Sequence, residues 1–241
     1  MRMGEVAPSE AQRIAAKGVV AASKSKKSEP CHGRRNALAA AIGLMGMLIL
    51  AACNSAPQKP AETKPEVKAP ESLAGREAFY KVYIAARNYA ADVKPFRIES
   101  TPTSEDNGHD GKATIWRVGF ASAMQRGVKP YIWSGSNLPD APSRGVSPGN
   151  EDVYNPSNAS TQVFDPAFLK IDSDQAFAEA QKHGGDKVLE KDENTPVVYI
   201  CDWNHNTNQL IWHVIYGSSR DAAKLTVAIN ASTGEFVRVE K

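Results

Sequence analysis

The chain has 241 residues, 41% of them hydrophobic and 23% charged, with a formal net charge of +2, which suits one or two domains with a real core. The positive charge is lopsided: residues 1–52 hold eight Lys/Arg against three Asp/Glu, and the rest of the chain holds 21 against 24. No basic stripe follows the leader, which argues against nucleic-acid binding, and Cys31, Cys53 and Cys201 leave a mature chain no disulfide framework.

The first predicted element is the apolar run "ALAAAIGLMGMLILAA", Ala37 to Ala52, about 16 residues long. A spanning helix needs about 20. Arg34 and Arg35 stand just before it. A positive flank, a short apolar stretch and a small-residue cleavage site describe a secretory signal. The end of the run, Leu50-Ala51-Ala52-Cys53, resembles a bacterial lipobox. In signals of that kind, signal peptidase II cuts before the cysteine and the thiol carries a diacylglycerol. The resemblance implies that residues 1–52 are a lipoprotein signal peptide with a long n-region. It makes Leu50, Ala51 and Ala52 the peptidase recognition residues and Cys53 the lipidation site. One acyl chain holds weakly, at about 0.8 kcal/mol per buried methylene, and stable attachment takes two or more. The n-region accommodates either a long bacterial leader or a misassigned start codon. Gly33-Arg34-Arg35-Asn36-Ala37-Leu38 also resembles a twin-arginine signal, although the polar residue before the pair and the aromatic or leucine two places after it are missing. Both export routes therefore stay open. Asn54, where the enterobacterial sorting pattern retains Asp-bearing lipoproteins in the inner membrane, permits delivery to the outer one.

Residues 53–74 read as the lipidated cysteine and a tether. "NSAPQKPAETKPEVKAPESLAG" has four prolines, alternating Lys and Glu, and only Val67 and Leu73 as large apolar residues. Such composition buries too little surface to offset chain entropy. At about 3.1 Å per residue it reaches some 60 Å from a bilayer.

From Gly75 the periodicity changes. Phe79, Val82, Tyr83, Ala86, Tyr89, Ala90 and Val93 recur at helical spacing, and Pro95 limits the end. Strands are predicted at "FRIES", at "KATIWRVGFAS" with Trp116, Val118 and Phe120 on one face, and at "VKPYIWSG". This unit covers 75–138. A Pro/Ser/Asn/Gly-rich connection, 139–165, follows, of the length often functional or mobile. "FDPAFLKI" is expected to lead in as a strand. The second unit, 166–241, repeats the order. Asp172 or Ser173 caps a helix, with Gln175 at the capping-box position and Ile171 as a staple. Gly184-Gly185 is expected to stop it. The strands "TPVVYICDW", "QLIWHVIYG", "KLTVAI" and "FVRVE" come next. "IWRVGF" (Ile115–Phe120) matches "IWHVIY" (Ile211–Tyr216), so the simplest reading is a duplication. Its fold class is α+β, two repeats, each one helix packed on an antiparallel sheet of three or four strands.

"IDSDQAFAEAQKHGG", then "WHVIY" and "LTVAINASTGEFV", resemble a PepSY-type domain over residues 169–241, and loosely over 75–135. Asn230 replaces the usual Asp of the terminal turn, and the first repeat lacks the Thr-Gly-Glu turn. The resemblance implies a small cystatin-like unit that binds a protein or peptide, with a role in restraining a protease.

Other candidates weigh less. His183 reads as a helix C-terminal cap, His213 as an exposed strand residue and His109 as a hairpin tip. Asp202, Asn204 and Asn206 have the opening spacing of a calcium loop, but Thr207 stands where Gly is needed and His213 where a bidentate Glu belongs. Cys201 alternates with Val197 and Tyr199 and reads as a buried thiol, with His205 in the turn beyond it. Trp116 and Trp212 read as core, and Trp133 and Trp203 as possible partner contacts, tryptophan being favoured at interface hot spots. No hydrolase elbow, phosphate loop or zinc motif occurs. The sequence thus predicts no enzyme, metal or cofactor. It predicts an envelope lipoprotein held to lipid through Cys53, facing the periplasm or exterior, with a protein or peptide partner; the alternative is a structural or assembly lipoprotein.

Overall fold

The computed structural model describes residues 68–240. They form an α+β fold, helices packed on one face of a large antiparallel sheet. In chain order the elements are β1 (Leu73–Ala74), α1 (Gly75–Tyr89), β2 (Lys94–Ser100), β3 (Lys112–Ala113), β4 (Ile115–Ser122), β5 (Gly127–Ser134), β6 (Gly145–Pro148) and β7 (Asp152–Val153). Then come α2 (Ser173–Ala180), α3 (Asp186–Lys191), β8 (Val197–Asn204), β9 (Gln209–Tyr216), β10 (Leu225–Asn230) and β11 (Phe236–Glu240). The sheet runs β11-β10-β9-β8-β2-β4-β5-β6, with β7 also on β5. β2 and β8 join its two halves through three antiparallel pairs, Arg97 with Asp202, Ile98 with Cys201 and Glu99 with Ile200.

Strand alternation sorts the side chains. Ile98, Trp116, Val118, Phe120, Tyr199, Cys201, Trp212, Val214 and Val227 go to the helix-covered face and build one core with Ala78, Phe79 and Val82 of α1 and Ala176 and Ala180 of α2. Trp116 and Trp212 meet edge to face at 6.3 Å in its centre. Each indole donates to the carbonyl just ahead of a helix, Trp116 to Leu73 at 2.8 Å and Trp212 to Ile171 at 2.9 Å. Other contacts recur at the same chain spacing: Gly135 N–H to Thr114 O and Ala231 N–H to Leu210 O, both 2.8 Å.

The helix starts are held unequally. Asp172 caps α2 in a full capping box with Gln175. Ala74 has no side chain to cap α1. The cap comes instead from the other half, because Gly75 N–H donates to Ser173 Oγ and Arg76 N–H to Asp172 Oδ1, both at 2.7 Å. Gly75 is what lets the helix start approach: a Cβ there would lie 2.6 Å from the Trp212 ring and 2.8 Å from that of Trp116.

Several expectations need correcting. Lys68–Ala74, read as the end of the tether, belong to the fold, with Leu73 buried and paired to Ala113. "FDPAFLKI" contains a 3-10 turn at Pro166–Phe168 in place of a strand, because Asp165 accepts from Ala167 N–H and Pro166 follows it. The connection 139–165 contributes β6 and β7, which flank Pro130, a residue with no N–H to donate, while Gly149 N–H bonds Pro130 O at 2.8 Å. The stop expected at Gly184-Gly185 holds: His183 (φ −109°, ψ 30°) and Gly184 (φ 105°) leave helical geometry. Beyond this kink the chain starts a second short helix, α3. Gly185 lies so close to the Tyr216 hydroxyl, itself bonded by Gln181 at 2.8 Å, that a Cβ would reach 1.9 Å from it. The "EDNGHDGK" tip is a brace against the second half: Val197 N–H donates to Asn107 O, Tyr199 OH to Gly108 O, and Ser173 Oγ to Gly111 O.

Candidate functional site

Leu50, Ala51, Ala52 and Cys53 lie outside the described residues. What the fold positions is the chain arriving from them. Asn137 Nδ2 donates to Lys68 O at 2.6 Å, Arg144 Nη1 to Ala69 O at 2.8 Å, and Glu71 N–H to Gly135 O at 3.0 Å. Glu71 also pairs with Lys81 and Arg144. A tether from Cys53 would thus end at residue 68, fastened to the 135–144 segment.

Of the tryptophans read as possible contacts, Trp133 is only 4% exposed, in the core, with the Lys81 ammonium 5.9 Å from its ring. As placed, it offers no docking surface. Trp203 is half-buried and packs 5.3 Å from Phe168, itself 43% exposed. The Cys201 thiol is fully buried, and burial, with Asp202 and Asp172 adding to it, pushes its pKa well up. A thiol in that state is a poor nucleophile. His109 Nε2 lies 2.8 Å from Thr195 O, so it belongs to the brace. His183 sits at the kink between α2 and α3, stacked on Phe236 at 3.7 Å and 3.2 Å from Glu179. Asn204 Oδ1 accepts from Asn206 N–H, and Asp202 turns to other partners, so the three residues of the calcium-like spacing do not converge.

The reading of His213 as exposed is overturned. It does point away from Trp212, onto the helix-free face, but its side chain is only 6% exposed. Its two ring nitrogens face two carboxylates, Nε2 to Asp202 Oδ1 at 3.1 Å and Nδ1 to Glu240 Oε2 at 2.7 Å. Arg220 Nη2 reaches Asp202 Oδ2 at 3.1 Å, Arg97 Nη2 lies 3.5 Å from the same oxygen, and Arg238 donates to Glu240. Positive and negative groups thus alternate across the sheet from β2 to β11. The Glu240 contact crosses β10 over Ala228, a residue paired with both His213 and Arg238. Burial works against charge on Asp202 and Glu240, but His213 and the arginines outweigh it and hold both carboxyls below their usual range. Burial likewise opposes the imidazolium, and the two carboxylates outweigh it and raise the His213 pKa. Sequence reasoning missed this cluster because its members come from separate strands. The available signal was an ionisable residue inside the hydrophobic string "LIWHVIY".

Two open grooves lie on the surface. One, about 430 Å³, lies between the helix-free face at Phe96, Arg117 and Pro130 and the strap carrying Glu151 and Thr161. The other, about 630 Å³, lies between the Thr101–Asn107 and Leu138–Pro142 segments. Among the described residues no helix is long and apolar enough to cross a membrane.

No family model and no curated protein matches the chain. Among solved structures it is similar to a protein of Clostridium difficile 630 described as a "putative lipoprotein", at 10% identity and a TM-score of 0.45. That similarity covers 68% of this chain and 91% of the other.

Proposed function

We propose that this protein is a lipid-anchored envelope protein whose duplicated, PepSY-like α+β module binds a protein or peptide partner and restrains proteolysis. The observation that carries the reading is the order of parts in the sequence: the lipobox-like Leu50-Ala51-Ala52-Cys53, a polar, proline-rich stretch, and then the patterned segment that forms the α+β fold. In this reading residues 1–52 are removed, Cys53 carries lipid, and the residues up to Lys68 are the tether. The module faces the periplasm or exterior, on the outer membrane if Asn54 acts as the sorting pattern suggests.

The repeat reading is supported by the paired indole bonds, Trp116 to Leu73 and Trp212 to Ile171, and by the matching bonds of Gly135 and Ala231. Such coincidences at nearly one chain spacing are unexpected unless the two halves share a plan. Binding without catalysis is supported by the state of the reactive groups. The Cys201 thiol is buried, and both nitrogens of His213 are occupied by carboxylates.

Crosslinking in intact cells, with mass spectrometry of what is joined, tests the proposal. Capture of a protease or of its substrate is the expected result. Capture of structural envelope proteins alone would replace it with an assembly role, and capture of nothing above background would remove it.

A further inference from the structure

A neutral imidazole has one N–H and one lone pair, and an ionised carboxylate only accepts. At His213 both ring nitrogens face carboxylate oxygens, at 2.7 and 3.1 Å. With a neutral ring, one of these contacts would set a lone pair against a carboxylate. Only the imidazolium donates to both. We infer that Asp202, His213 and Glu240 form a proton-binding clasp, which when protonated fastens the C-terminal strand β11 to the sheet and on deprotonation lets it loosen.

The placement gives the proton mechanical consequence. β11 is hydrogen-bonded to β10 in the sheet order and has no second strand neighbour among the described residues. Its pairing with β10 already carries an irregularity between Ala228 and Ile229. Glu240 is its last described residue, and through His213 it is tied to β9 and β8, past its immediate neighbour. The clasp is set among charged groups from each element around it. β2 contributes Arg97, β8 Asp202, the β9–β10 connection Arg220, and β11 Glu240 and Arg238. β10 presents uncharged Thr226 and Ala228. Lys224, farther along the same connection, is paired with Asp192 instead. Losing the proton leaves two carboxylates competing for one N–H, and the arginines then hold each carboxylate from its outer side only. The C-terminal strand is the part with least else to retain it. The raised His213 pKa puts this transition above the ordinary histidine value.

The test uses the full chain in detergent micelles with 15N-labelled histidine, His213→Gln serving to assign the signal. The ring should titrate above about 6.5, the free-histidine value, and below its midpoint both His213 nitrogens should carry a proton. Glu240→Gln should bring that midpoint down. Amide exchange over residues 236–240, corrected for its intrinsic pH dependence, should accelerate about tenfold across the midpoint for each unit by which the pKa is raised. His213→Gln should abolish that step. A wild-type midpoint at or below about 6.5, or only one protonated nitrogen below the midpoint, would overturn the clasp. Exchange in β11 that follows only the intrinsic rate would overturn its role in holding the strand.

Discussion

Helix α1 runs unbroken for 15 residues with no cap of its own, whereas α2 has 8 residues, a complete capping box and a kink at His183-Gly184 behind it. The better-capped helix serves both: Asp172 and Ser173 close the start of α2 and accept from the first two N–H groups of α1. The opposite debt is carried by the 101–111 loop of the first half, which supplies carbonyls to Val197, Tyr199 and Ser173 of the second. Each half therefore lacks something that only the other provides. Such halves should unfold together, and substitutions at the seam should cost more than the same substitutions elsewhere.

The largest effect is expected at the meeting of the indoles. Trp212→Ala removes a fully buried ring, at about 3–5 kcal/mol, and with it the bond to Ile171 O and the edge contact with Trp116. Denaturant unfolding followed by far-UV dichroism and by tryptophan emission should give coincident, lowered transitions. Separate transitions for the two halves would break the comparison. Next comes Asp172→Ala. An ordinary cap is worth about 0.5–2 kcal/mol; here two helices lose one, so about 1–4 kcal/mol is expected, with Asp172→Asn retaining most of it in the same melts. A loss no greater than a single cap's would mean that α1 does not depend on the second half.

The charged row sharpens the comparison in another way, since His213, Asp202 and Glu240 belong to the second half and Arg97 to the first. Asp202→Ala should cost about 2–3 kcal/mol, hydrogen bonds to charged groups being worth about 1.5–3. The pH dependence follows from the shifts. The His213 pKa is raised, so its contribution is complete below about 6.5 and is lost as pH rises through the folded-state value. Those of Asp202 and Glu240 are lowered, so theirs is complete above about 5 and is lost as pH falls through their folded-state values. Stability from this cluster should peak between about pH 5 and 6.5, and the peak should vanish in His213→Gln. The smallest effect is at the far edge of the first half. Tyr89 donates to Glu151 at 2.6 Å on the surface, so Tyr89→Phe should change the melting free energy by about 0.5–1 kcal/mol.

Much of this architecture is legible in the sequence because it is local. The helical spacing of Phe79, Val82 and Ala86, the alternation of Trp116, Val118 and Phe120, and the Asp172–Gln175 capping box all depend on neighbours within a few residues. What escaped depends on distant ones. Nothing near Ala74 says that Asp172 will cap its helix, and nothing near Gly185 says that the Tyr216 hydroxyl will occupy the space a side chain would need. His213 was misjudged for a related reason: alternation gives the face of a strand but not what covers that face.

The tethered reading rests on Cys53, and metabolic labelling with palmitate tests it most directly. Wild-type chain should incorporate label and Cys53→Ala should lose it. Equal incorporation by both would contradict the lipid anchor and leave the module without its proposed address.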